Sequence, residues 1–286
     1  MQERDGYPPG VPCWVDTGQP DPEAAVDFYR GLFDWEFEDR MPPDSPGRYF
    51  VAQVRGRDVA GVGSLPQDMP QDATWNTYIW VESADDAAAK VKDAGGGVVM
   101  EPFDIPGAGR MAVLSDPSVA VFCVWEAKGS NGAQLVNEPG TWNWSDLYTD
   151  DLEGAKPFYG AVFGWESQVV DLGNGGPTMW RAPGYGDFLE KTVDPEIRSR
   201  QEEFKAPPGF EDAIGWLVPS EHSPEDTSPI WHVTFSVADA DATADRAAEL
   251  GGEVLSPPMD VPYARVATLR DPQGAAFTVG KFVPPE

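Results

Sequence analysis

Four stretches of the chain alternate apolar and polar residues with the two-residue period of a half-buried strand: Trp14–Gly18, Asn76–Val81, Trp144–Thr149 and His232–Val237. Each runs into a segment with helical spacing. Ala25, Phe28, Tyr29 and Leu32 form one apolar stripe, and Ala87, Val91 and Ala94 form another. Asp21 before Pro22, and Ser83 with Asp86 three residues later, mark helix starts, while Gly95-Gly96 and Gly251-Gly252 mark helix ends. Pro157 falls inside the third helix, where its missing N–H is expected to loosen the second turn. Asp116-Pro117 and Asp271-Pro272 then turn the chain into the apolar strands VAVFCVWE (Val119–Glu126) and AAFTVGKF (Ala275–Phe282).

The pattern repeats at two levels. DPEAAVDFYRGLFDWE (Asp21–Glu36) recurs as DLEGAKPFYGAVFGWE (Asp151–Glu166), and NTYIWVESADDAAAKVKDAGG (Asn76–Gly96) recurs as HVTFSVADADATADRAAELGG (His232–Gly252). The chain therefore reads as four βαβββ modules, at about 11–66, 75–127, 142–218 and 229–283. They form two halves, 1–128 and 141–286, joined by a polar, glycine-rich linker at 129–140. Tyr159 lies farther from His232 than Tyr29 does from Asn76, so the second half carries an insertion near 184–210. Its charged middle, Asp194–Lys205, has the composition of a short helix, placed either as a lid over the second half or as surface decoration.

Composition narrows the partners. The 286 residues suffice for two cores, and the 11 Trp argue for packed domains. Forty-eight acids against 20 bases give a net charge of −28. That field repels phosphate backbones and anionic lipid, so neither nucleic acid nor membrane is expected as a partner. No cationic stretch followed by an apolar run opens the sequence, no apolar run is long enough for a span, and the expected location is the cytoplasm. Only Cys13 and Cys123 occur, and they should face apart, so no disulfide is expected. The glycine-rich stretches lack the context of a phosphate-binding loop.

The FY-x-x-x-F-x-W helices, the strand and helix ending in Gly-Gly, and the closing Asp-Pro strands resemble the vicinal oxygen chelate superfamily, the glyoxalase, bleomycin-resistance and extradiol-dioxygenase group. The resemblance covers nearly the whole chain outside the linker and the insertion, and is nearest to tandem two-domain actinobacterial members. It implies an α+β fold in which four βαβββ modules make two domains with open, cup-shaped mixed sheets. It also implies metal ligands on the first, fourth, fifth and eighth strands of each cup, usually His and Glu. Carried over, the first-strand position falls on Trp14 and Trp144, the fifth on Asn76 and His232, and the eighth on Cys123 and Thr278. The fourth strands, within VAGVGSL and AIGWLV, contain no carboxylate. Three or four N, O or S donors must converge on such a metal, and Trp cannot ligate. No metal and no other cofactor is therefore expected; Glu211 or Asp212 joining His232 is the arrangement that would reverse this.

Residues two apart on a strand share a face. The first cup should accordingly be lined by Trp14, Asp16, Asn76, Tyr78, Trp80, Cys123 and Trp125, and the second by Trp144, Asp146, Tyr148, His232, Thr234, Ser236 and Thr278. Flat aromatic walls with a few polar groups suit a planar, largely apolar ligand. Asp16, Asp146 and His232 are the acid–base candidates, since a carboxyl in an apolar cup has a raised pKa and His titrates near neutrality. The expected function is metal-free binding or sequestration of a planar or aromatic metabolite by a monomer or homodimer. The alternatives are a metal-independent enzyme on such a ligand, a metal-dependent lyase, isomerase or oxygenase with an aberrant ligand set, and a regulatory protein with vestigial cups.

Overall fold

The computed structural model describes residues 3–65, 72–170, 176–225 and 229–284. In the first half, β1 (Pro12–Gln19), α1 (Pro22–Phe33), β2 (Glu36–Asp39), β3 (Tyr49–Val54) and β4 (Arg57–Ser64) are followed by β5 (Thr74–Trp80), α2 (Ala84–Asp93), β6 (Gly97–Ile105), β7 (Gly109–Ser115) and β8 (Val121–Ala127). The second half repeats this with β9 (Thr141–Thr149), α3 (Leu152–Phe163), β10 (Glu166–Val169), β11 (Thr178–Arg181), α4 (Tyr185–Thr192), α5 (Ile197–Glu203) and β12 (Ala213–Pro219). It closes with β13 (Ile230–Ser236), α6 (Ala240–Glu249), β14 (Glu253–Val261), β15 (Ala264–Arg270) and β16 (Ala276–Phe282). The protein is thus α+β, with two open eight-stranded mixed sheets ordered β2-β3-β4-β1-β5-β8-β7-β6 and β10-β11-β12-β9-β13-β16-β15-β14. Modules pair within each half, through the antiparallel contacts β1–β5 and β9–β13.

Local signals explain the helices. The side chains of Asp21, Ser83, Asp151 and Asp239 each accept a hydrogen bond from the backbone N–H three residues on, which satisfies one otherwise unpaired donor of the first turn. Gly95 and Gly251, beyond α2 and α6, adopt φ values of 91° and 88°, which a Cβ would disfavour. Pro157 sits inside a continuous α3 and is exposed, so its ring faces water rather than the core.

The two halves share one hydrophobic core, because each half's first helix packs on the other half's sheet. Phe33 of α1 meets Phe235 at 5.2 Å between ring centroids, and Tyr159 of α3 meets Phe122 at 5.8 Å. The repeated tyrosines carry the polar counterpart of this exchange. Tyr29 Oη donates to Asp271 Oδ2 at 2.9 Å and accepts from Trp75 Nε1 at 3.1 Å. Tyr159 Oη donates to Asp116 Oδ2 at 3.2 Å and accepts from Trp231 Nε1 at 3.0 Å. Both aspartates use Oδ1 to hold the backbone amides of their own Asp-Pro turns. Trp35 and Trp165, at the ends of the same motifs, donate across the divide to Gly140 O and Gly10 O. The FY-x-x-x-F-x-W signature is therefore an inter-half contact as much as a helix.

The stretch read as a linker is packed into this core. Ala133, Leu135 and Val136 are buried, and the backbone N–H groups of Ala133 and Arg4 bond to Cys13 O and Gln134 O. Its apolar residues outweigh its glycines once there is a surface to cover.

Candidate functional site

The first cup is closed on a buried carboxylate. Strand β1 places Asp16 opposite Asn76 of β5, and Asn76 Nδ2 donates to Asp16 Oδ1 at 3.0 Å. Tyr78 Oη and Tyr49 Oη both donate to Oδ2, at 2.8 and 3.0 Å, and Tyr49 Oη accepts from Trp14 Nε1 at 2.9 Å. Burial raises the Asp16 pKa, and the bonds from Asn76, Tyr78 and Tyr49 oppose that rise. Cys123 lies beside Tyr78 in the parallel β5–β8 register, and burial pushes its thiol pKa up. Trp125 stands edge-on to Tyr78 at 6.4 Å, with its indole N–H bonded to Ser130 O. Trp80 stands apart from this cluster, against Tyr7 at 6.2 Å. Tyr49 is the member that strand alternation around the ligand positions misses, because it arrives on β3. Its signal is the pair Gly61 and Gly63 on β4: a Cβ at Gly61 would stand 2.4 Å from Tyr49 Oη.

The second cup has the same frame and different chemistry. Strand β9 sets Asp146 opposite His232 of β13, the register that joins Asp16 to Asn76 in the first. His232 is 2% exposed. Its Nδ1 lies 2.7 Å from Glu225 Oε1 and its Nε2 lies 2.9 Å from Thr278 Oγ1, which continues to Thr268 Oγ1 at 3.3 Å. Tyr148 stands edge-on to His232 at 6.0 Å. Burial first, then the neighbouring Asp146 and Glu225 charges, raise the Tyr148 pKa. Asp146 takes one hydrogen bond among the described residues, from the Trp216 backbone N–H at 2.9 Å to Oδ1. Burial lifts its pKa to about 7, and that N–H opposes the lift. Although the carboxyl is ringed by protein, part of the residue reaches solvent.

Trp144, two residues before Asp146 on β9, clusters with Phe210 and Trp216, at 6.1 and 6.5 Å. Thr234 is paired in register with both Trp144 and Thr278, while Ser236 sits at the far end of β13 beside Thr141 and Gly280. Glu225, Phe210 and Trp216 complete the cup from β12 and the loops around it. Glu211 and Asp212 lie elsewhere: Asp212 pairs with Arg181 at 3.1 Å, and Glu211 faces Arg198 at 3.9 Å.

The fold's usual metal chemistry finds poor support in this donor set. Among the described residues no three His, Cys, Asp or Glu side chains converge as a metal requires. The ligand positions hold Trp, amide, thiol and hydroxyl groups around a single imidazole, and both nitrogens of that imidazole are engaged. The described residues at these positions do not fit a divalent metal. No helix among the described residues is long and apolar enough to cross a membrane.

Known proteins share this architecture. The chain is 38% identical over 287 aligned residues to "Putative glyoxylase CFP32" of Mycobacterium tuberculosis (strain CDC 1551 / Oshkosh), an alignment covering 99% of each chain. It is 36% identical to the anthracycline biosynthesis protein DauV of Streptomyces sp. (strain C5), covering 96% of this chain and 94% of that one. Among solved structures, the Mn(II)-bound glyoxalase from Novosphingobium aromaticivorans superposes with a TM-score of 0.58 at 15% identity, over 95% of this chain and 82% of that one. The 2,3-dioxygenase LapB from Pseudomonas sp. KL28 superposes with a TM-score of 0.59 at 11% identity, over 97% and 95%. At these identities the structural likeness is one of fold. A sequence profile matches residues 15–124 and 141–279, and with it the chain belongs to the Glyoxalase/Bleomycin resistance protein/Dioxygenase superfamily.

Proposed function

We propose that this protein binds a planar, largely apolar metabolite in its second cup without a metal. The observation that carries the reading is the contrast between two carboxylates at one position in the fold. Asp16 is saturated by three side-chain donors, whereas Asp146 keeps one backbone donor and faces His232 beside the Trp144–Phe210–Trp216 wall. A ligand hydroxyl or carbonyl can satisfy Asp146 while its ring lies on the indoles. The anthracycline biosynthesis relatives support a polycyclic aromatic ligand of this kind.

A second reading rests on the same cup: metal-independent proton transfer. A carboxyl with a pKa of about 7 is divided between acid and base at neutral pH, as a general acid or base should be. The Glu225–His232–Thr278 chain offers a second proton donor or acceptor on the neighbouring strand.

The test is a tryptophan-fluorescence titration with a hydroxyanthraquinone, together with elemental analysis of the untagged protein. Trp144→Ala should weaken binding at least about tenfold, or ~1.4 kcal/mol, and Trp80→Ala should leave it unchanged. Equal affinity in Trp144→Ala, or one firmly held transition metal per chain, overturns the metal-free binding reading. Turnover abolished by Asp146→Asn or His232→Gln with affinity retained selects the enzyme.

A further inference from the structure

A cavity of about 180 Å³ lies where the N-terminal segment, the 129–140 stretch and the α4–α5 insertion meet the start of β12, on the side of Trp144 and Phe210 away from His232. None of the hydrogen-bond partners of His232 lines it. The insertion builds one wall of it, through Tyr185, Leu189, Asp194, Ile197 and Arg200. Arg4 comes from the other side. Glu3 bridges to Leu135 and the Arg4 N–H bonds to Gln134 O, which pins the backbone and turns the guanidinium inward.

That guanidinium is the unusual group. Arg4 is 4% exposed and forms no salt bridge among the described residues, although the Asp194 charge reaches it. It lies 5.3 Å from the Tyr7 ring centroid and 5.6 Å from that of Tyr185. Its Nη1 donates to Tyr185 Oη at 2.5 Å, and its buried Nε has no partner. The nearby acids are committed. Asp194 gives both carboxylate oxygens to Arg200, and Glu211 faces Arg198. Arg4 therefore keeps a buried guanidinium at one cavity wall with no carboxylate of its own, the Asp194 charge acting on it only from beyond hydrogen-bond distance. A buried charge without a paired anion is costly, and ring faces compensate it only in part.

We propose that this cavity binds a small aromatic monocarboxylate. Arg4 pairs with the carboxylate through its unused donors, and the ring fills the apolar end beside Leu189 and Ile197. The volume suits one ring, since a cavity of roughly 150 Å³ accommodates benzene. The occupant is thus smaller than the polycyclic ligand proposed for the second cup. The two sites share Trp144 and Phe210, whereas Arg4 and Leu189 belong to this cavity and His232 to the cup, so variants at those residues tell the two apart.

The probe is benzoate, with benzamide as its neutral counterpart, titrated into the full-length protein by calorimetry and ligand-detected NMR. Benzoate should bind one per chain with a dissociation constant below about 1 mM, and benzamide at least about tenfold more weakly. Arg4→Gln should lose at least about tenfold in benzoate affinity, and His232→Ala should lose none. Leu189→Trp, which fills the cavity with Arg4 intact, should also abolish binding, so the answer does not depend on Arg4→Gln folding. Absence of benzoate binding at several millimolar, equal affinity for benzamide, or loss of binding in His232→Ala overturns the proposal.

Discussion

Replacing Asp146 by Asn should stabilise this protein at alkaline pH and leave it unchanged in acid. Asn is isosteric, and its side-chain oxygen can still accept the Trp216 N–H that Asp146 Oδ1 accepts now. What the change removes is an ionised carboxyl held against burial. Burial lifts the Asp146 pKa from its ordinary 3.8 to about 7, so the folded chain binds this proton more tightly than the unfolded chain does. Below pH 3.8 both states are protonated and the substitution is neutral. Between 3.8 and about 7 the unfolded carboxyl ionises while the folded one does not, and wild-type stability falls relative to the variant. Above that range the deficit is constant. At ~1.4 kcal/mol per pH unit the full displacement corresponds to about 4 kcal/mol, and the solvent that reaches the residue reduces the expected gain to about 2 kcal/mol. Urea unfolding of both proteins from about pH 4 to 8 measures the difference directly, because the effect of the chain's many other acids cancels in the comparison. A variant no more stable than wild type at pH 8, or a difference that does not change with pH, refutes the reasoning.

Two further outcomes follow from the core. Tyr159→Phe leaves Asp116 and Trp231 each short of a buried partner, and Tyr29→Phe does the same to Asp271 and Trp75. Each should cost about 1–3 kcal/mol, read as a lower urea midpoint with an unchanged slope; a loss confined to one of the two would contradict the mirrored inter-half arrangement. Burial raises the thiol pKa of both Cys13 and Cys123 and shields them from solvent. Both should resist iodoacetamide in the folded protein and react in denaturant, and rapid native labelling of either would show that its region opens.

The sequence by itself determined the fold and the direction in which the cup-lining strands alternate. A period of two in the strands, Asp and Ser caps with glycine stops on the helices, and two levels of repetition are local signals written in consecutive residues, so they can be read without knowing what lies opposite. They were enough to bring Trp14, Asp16, Asn76, Tyr78, Cys123 and Trp125 onto one face, and Asp146, Tyr148, His232 and Thr278 onto another. Tertiary structure alone decided what those faces meet. Tyr49 reaches Asp16 from a strand far along the chain, and Glu225 reaches His232 from a loop; neither position carries a periodic mark. The crossing of Tyr29 to Asp271 and of Tyr159 to Asp116 joins modules that no local pattern pairs. The 129–140 stretch reads as a linker because glycine and polar residues dominate its composition, yet Leu135 and Val136 find a core to bury in. Arg4 carries no local mark of burial, and it is buried only because the insertion closes over it. Periodicity reports the environment of a backbone direction, whereas charge compensation and hydrogen bonding depend on distances between residues that only the folded chain brings together.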